Sequence, residues 1–458
     1  MKKIIFAIVA LTLVPTASFA QKIQVGAAKV DVTPLPSQLV NKTDTIIGSI
    51  CVRAIYMTDG KNPAVLVSVD GDMRQAEEAI ELSSRSTGCP VDNYIICGTH
   101  SHSPSTGGIG NGHPSPQELQ DALVKAVDLA KKNVAPARVG FGTTQIDLNV
   151  NRDLYTANKG WSQEANWEGV SDKTLAVLTF MGEDDVPIAV MMNYGMHPVN
   201  YFISGVVSPD FPGVASDYVE NLFGGKTVAL FSQAASGDQN PKLAYTSIFR
   251  EGQVKGVLPS ANRNEPNASG KSDNVPRQPS FTSSEIPAER LPAHREVIRR
   301  KMDYVNMLGL MIGNNAVRTM LYDTRYETNP SIWAGRTVVT CPGRERIDKN
   351  GRENYDPGYT DGPDVKIGVG LLRIGNIALP SVSGEIYTEV GMRIKAESPS
   401  SKTMVLSLAN GPYESGYIYS DNASHHLTFQ VIGSRLKPGY AEDGIVGATL
   451  KLWAESWK

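Results

Sequence analysis

Two apolar runs of strand length, Ala-Val-Leu-Val-Ser-Val at 64–69 and Tyr-Ile-Ile-Cys at 94–97, bracket a segment of helical character at 73–86. Runs this short and this continuously apolar predict strands buried on both faces. A capping box, Ser115-Pro116-Gln117-Glu118, then starts an amphipathic helix reaching about residue 133, with Leu119, Leu123, Ala126, Val127 and Leu129 as its apolar stripe. Strand, helix, strand, helix in this order predicts an α/β fold of mixed β-sheets flanked by helices and argues against an all-β sandwich.

The rest of the chain keeps that character. Strands are expected at 24–32, 139–150 and 226–232, and a hairpin at 176–181 and 186–194 turns on Gly182-Glu183-Asp184-Asp185. Helices are expected at 210–222 and 295–322, and another runs from Ser383-Gly384-Glu385 to residue 396. Further strands fall near 332–339, 365–374, 377–380 and 404–408. Between them, residues 245–292 are rich in Ser, Asn, Pro, Arg and Lys, the composition of a polar insertion that is a lid, a binding loop or disordered. No internal repeat or linker divides the chain, so residues 21–458 read as one catalytic domain.

Residues 1–20 precede that domain with Lys2 and Lys3, an apolar run at 4–14 and Ala17-Ser18-Phe19-Ala20. This is the pattern of a cleaved signal peptide, and it predicts a periplasmic or secreted protein. No later stretch approaches the roughly 20 apolar residues that span a bilayer. A net charge of −3 leaves no footprint for nucleic acid. The four cysteines, Cys51, Cys89, Cys97 and Cys341, are too few for a disulfide scaffold; an exported protein permits one or two bridges, with a pairing the sequence does not specify.

Ligand-type residues gather at strand ends. His100 and His102 follow the 94–97 strand through Gly98, and in extended backbone positions i and i+2 face the same side. His197 follows the 186–194 strand, and Glu385 follows the 377–380 strand. A catalytic zinc takes about three protein ligands, commonly His and Glu, and keeps an open position for water. There is no HExxH helix, so an ordinary zincin is excluded. Asp70 and Asp72 are either carboxylates that orient the histidines or parts of a strand-end turn. His113, His294, His425 and His426 lie in polar contexts and are expected to face solvent, and Asp238 is expected to cap a turn or helix.

Taken together, Gly98-Thr99-His100-Ser101-His102-Ser103, Asn151-Arg152, Met196-His197-Pro198, Ser236-Gly237-Asp238, Gly384-Glu385 and Gly416-Tyr417 resemble, in the same order, the motifs of the neutral/alkaline non-lysosomal ceramidases. The resemblance spans roughly residues 25–447. It implies a ceramidase-like catalytic domain in which His100, His197, Glu385 and Tyr417 bind zinc. It further implies an acid/base or oxyanion role for His102, a substrate contact for Arg152, and for Tyr440 the steadying of a tetrahedral intermediate. Two departures stand out. Asn240 occupies the place of the family's motif serine, and the sequence stops short of the immunoglobulin-like C-terminal domain of full-length members. An amide is no hydroxyl nucleophile, although its NH2 group can donate to an oxyanion, so zinc-activated water becomes the expected attacking group.

The expectation is an exported zinc-dependent hydrolase that cleaves an N-acyl, ceramide-like amide in a small or lipid-like acylated substrate. An esterase, a hydrolase of a glycan or cell-envelope conjugate, and a non-catalytic binding homologue are the alternatives. Oligomeric state is not specified by the sequence.

Overall fold

The computed structural model describes residues 22–73, 75–107, 112–244, 246, 285–348 and 351–458. The expected signal peptide and almost all of the 245–292 insertion lie outside the described residues.

Eight strands form one continuous sheet in the order Val228–Gln233, Pro187–Tyr194, Thr174–Gly182, Ala135–Gln145, Gln24–Asp31, Cys51–Thr58, Pro63–Val69 and Tyr94–Gly98, and Arg325–Glu327 pairs with Ala135–Gln145 as a ninth. Only the pair at each end is parallel, Pro187–Tyr194 with Val228–Gln233 and Pro63–Val69 with Tyr94–Gly98. Strand twist accumulates until the two edges meet. Ser68 Oγ donates to Phe231 O across the join at 2.5 Å, and Gln233 Nε2 donates to Thr99 O at 2.9 Å. The curl is what brings the residues after Gly98 close to those after Tyr194.

A second sheet, Ile332–Arg346, Tyr359–Ile374, Ile377–Val382 and Lys402–Thr403, packs on the first. Alternation along the strands sorts side chains between layers. Leu66, Ile95, Leu178 and Met191 meet Leu372, Ile374, Leu379 and Leu406 between the sheets. The outer face of the first sheet is covered by helices Glu77–Thr87 and Pro116–Lys132 at one end, and by Asp210–Leu222 and Leu291–Arg318 at the other. The outer face of the second sheet is covered by Thr388–Glu397 and Ala441–Glu455. The architecture is therefore helix, sheet, sheet, helix, an α/β fold as expected. No helix among the described residues is long and apolar enough to cross a membrane.

The capping box forms as read: Ser115 Oγ accepts from Glu118 N, and Glu118 Oε2 accepts from Ser115 N at 2.6 Å. Several local expectations differ. The 139–150 stretch is two strands, Ala135–Gln145 and Asn149–Thr156, and the second pairs with an unforeseen Gly160–Asn166. The strand expected at 404–408 lies earlier, at Lys402–Thr403, and within 404–408 Leu406 makes an isolated bridge to Ser381. All four cysteines are buried and unbridged.

Candidate active site

Local backbone aims each histidine. Gly98 lies so close to the Gly71–Asp72 turn that a Cβ there would come within 2.6 Å of Gly71 O and 2.7 Å of Asp72 Oδ1. Beyond it, His100 takes a left-handed conformation, φ 65°, held by its N–H bond to Gly71 O at 2.9 Å. That conformation costs a non-glycine residue about 1–2 kcal/mol. It places His100 Nδ1 at 3.0 and 3.1 Å from the two carboxylate oxygens of Asp72, so Nε2 faces the interior.

His197 is turned the same way by different means. Its Nδ1 lies 2.8 Å from Ser236 O and 3.1 Å from Gln239 O, which makes Nδ1 the donor and presents Nε2. Gly237 permits this crowding, since a Cβ there would meet Glu385 O at 2.9 Å. One carboxylate oxygen, Glu385 Oε2, then stands 3.3 Å from both His100 Nε2 and His197 Nε2. Glu385 begins a two-residue parallel pairing with Tyr417, so the register itself sets Tyr417 beside Glu385.

Arg152 closes the inner wall. Its Nη2 donates to Gly237 O at 2.6 Å and to the Tyr417 hydroxyl at 3.1 Å, and lies 3.4 Å from His197 Nε2. Its Nη1 donates to Asn240 Oδ1 at 3.2 Å. Pairing of Gln239–Pro241 with Asn149–Thr156, Asn240 opposite Val150, holds Asn240 in place. The structure thus gathers His100, His197, Glu385, Tyr417, Arg152 and Asn240 into one buried cluster. His102 joins it through its ring, 4.9 Å from that of His100 and 5.6 Å from that of His197.

Tyr440 is not gathered in. It sits at the N-cap of Ala441–Glu455 with its side chain half exposed, and no hydrogen bond or ring contact among the described residues joins it to the cluster. Phe429, which the sequence did not single out, is there instead: its ring lies 5.5 Å from that of Tyr417 and 5.6 Å from the Arg152 guanidinium. Two histidines expected in solvent are wholly or partly withdrawn from it. His294 is buried, and His426 is held at 3.0 Å by the buried carboxylate of Asp153. Asp238 caps a helix as expected, accepting from Thr388 N and Oγ1 at 2.9 and 2.7 Å.

Charge is divided unevenly among the imidazoles. Burial opposes a proton on His100, but the Asp72 and Glu385 carboxylates outweigh it and push the group up to about 10. Burial and the Arg152 charge take His197 down to about 3, and burial with the neighbouring His100 holds His102 well below the usual histidine range. Burial works against the Glu385 carboxylate, yet His100 and His197 keep it well below the usual range. Burial, then Glu385, raises the Tyr417 phenol despite Arg152.

A metal ion suits this donor set. His100, His102 and His197 each offer a ring nitrogen, all within 4.8 Å of one another. His100 Nε2 and both nitrogens of His102 are buried without a hydrogen-bond partner among the described residues, a state that buried polar atoms rarely keep. Neutral imidazole with carboxylate is the donor chemistry of zinc.

Residues 43–305 match the family described as neutral/alkaline non-lysosomal ceramidase, N-terminal. The fold is similar to that of the neutral ceramidase from Pseudomonas aeruginosa, with a TM-score of 0.65 and 14% identity over 95% of this chain and 74% of that one. It is also similar to a ceramidase solved in complex with C2, with a TM-score of 0.63 and 15% identity over 94% of this chain and 74% of that one. The family match covers more than half of the sequence and includes His100, His102, Arg152, His197 and Asn240: the chain belongs to the neutral/alkaline non-lysosomal ceramidase family.

Proposed function

We propose that this protein is an exported zinc-dependent hydrolase that cleaves the amide of an N-acyl, ceramide-like substrate. Residues 21–458 act as its single catalytic domain. The observation that carries the reading is the convergence on Glu385. His100 and His197, each locked through Nδ1, present their Nε2 atoms at 3.3 Å from the same oxygen of Glu385.

His100, His197 and Glu385 would hold the metal, with the Tyr417 hydroxyl as the remaining protein ligand. A bound zinc ion supplies Lewis acidity and acidifies water toward neutral pH. The chain's own groups do the rest. Arg152, braced by Gly237 O and Asn240 Oδ1, aims fixed positive charge at the oxygen on which negative charge develops. Asn240 contributes as a polar positioning group and not as a nucleophile, so the acyl group passes to water without a serine ester. His102, neutral because it is buried, accepts a proton from water on one ring nitrogen and delivers it to the departing amine. Net reaction is one acyl amide plus one water to one carboxylic acid and one amine.

Hydrolysis of N-acyl amides by the purified protein, lost on chelation and restored by zinc, is the expected result. Full activity in chelator, or in His100→Ala, removes the reading.

A further inference from the structure

His102 lines two spaces. On one side its ring meets those of His100 and His197. His102 also lines a narrow cleft whose polar lining is otherwise Asp44, Ser103, Ser105, Thr106 and Ser204. The free space there is about 20 Å³ for the centres of water molecules, enough for one or two waters and for nothing larger. Arg152, Asn240 and Tyr417 take no part in the cleft; they lie on the His197 side of the cluster.

The lining is arranged to hold water. Ser103 Oγ and Ser204 Oγ both donate to Tyr201 O, which commits their protons and leaves their oxygens as acceptors. Both walls are fixed. Ser208 N donates to Ser103 O at 2.7 Å, Thr45 N donates to Gly205 O at 2.9 Å, and His102 N donates to Pro198 O at 3.1 Å. The same cleft is lined by His102, an imidazole with both ring nitrogens buried and without a hydrogen-bond partner among the described residues. A neutral imidazole needs one donor and one acceptor, and a water bridging ring and hydroxyl supplies either.

We propose that the cleft is a water site and the route by which the reaction receives its water, separate from the side on which the acyl substrate binds. Each turnover consumes one water, whose oxygen goes to the acyl carbon and whose hydrogens are shared between acid and amine. A substrate that fills the Arg152 side blocks resupply from there, and the cleft delivers water on the face of His102 turned away from it. This rests on the hydrolase reading above.

The test has two parts on the intact protein. A high-resolution crystal structure is expected to show an ordered water within hydrogen-bond distance of a His102 ring nitrogen and of Ser103 or Ser204 Oγ. In kinetics on an N-acyl amide, Ser204→Leu, which fills the cleft, is expected to lower kcat at least tenfold with KM and metal content unchanged, while Ser204→Ala, which leaves it open and removes one of the two acceptors, is expected to lose less. Ser105→Leu gives the same comparison if Ser204→Leu does not fold. A dry cleft in an active enzyme, wild-type kcat in the filled variants, or equal loss in Ser204→Ala overturns the proposal. Absence of amide hydrolysis by the wild-type protein would instead overturn the hydrolase reading, and the water is still read directly from the crystal.

Discussion

Asp72 lies against the back of His100, its two carboxylate oxygens 3.0 and 3.1 Å from Nδ1. That contact fixes which nitrogen is left for a ligand, and it comes from a turn that directly follows the strand Pro63–Val69. Partners of this kind orient the ring and raise its basicity, and losing one typically costs about 10–100-fold in metal affinity. Asp72→Ala should therefore weaken zinc binding by about that factor, as measured by competition with a chromogenic chelator.

Arg152 bridges three groups at once, Gly237 O, Asn240 Oδ1 and the Tyr417 hydroxyl. A lysine has one compact ammonium and cannot reproduce that planar fork. Arg152→Lys should lower kcat/KM by about 10²–10³, the scale of losing one preorganised oxyanion donor, with most of the loss in kcat. Steady-state kinetics on a short-chain N-acyl amide would show it.

In the metal-free protein His100 carries a proton up to about pH 10, held by Asp72 and Glu385 against burial. The folded value lies above the free value of 6.5. The pairing therefore stabilises the metal-free fold fully below pH 6.5 and is lost as the pH rises toward 10. Zinc must displace that proton, so its apparent affinity should rise about tenfold per pH unit across the neutral range. Isothermal titration in buffers of different ionisation enthalpy should detect about one proton released per ion bound.

Burial lifts Asp238 to about 6 from its free value of 3.8, despite the hydrogen bonds it accepts from Thr388. Between those values the folded protein keeps a proton that the unfolded chain has released, so stability falls as pH rises through the window, by about 3 kcal/mol. Asp238→Asn should flatten that slope in denaturant unfolding followed from pH 4 to 6.

What the sequence made legible was what depends on short-range pattern. The helix over 210–222 appears as Asp210–Leu222, and the capping box, the 176–194 hairpin and the apolar edge strands all form. His100, His197, Glu385 and Arg152 were legible because each follows a strand end or sits in a recognisable motif. Their convergence was implied by the family resemblance alone and not by spacing, since it depends on the curl that joins the sheet edges through Ser68 and Gln233. Tyr440 was implied by the family resemblance alone, but as the N-cap of Ala441–Glu455 it is carried outward, and that helix has too weak a polar face to read. Phe429 carried no chemical signal at all; only tertiary packing sets it between Tyr417 and Arg152. His426 looked like a surface histidine because its partner, Asp153, is 273 residues away in sequence.

His100, His197 and Glu385 are proposed to share one metal ion. Anomalous diffraction at the zinc edge from crystals of the protein purified without chelator tests it most directly. The predicted result is a single strong peak bonded to His100 Nε2, His197 Nε2 and Glu385. A crystal with no peak there, or a peak that leaves Glu385 outside bonding distance, would contradict it.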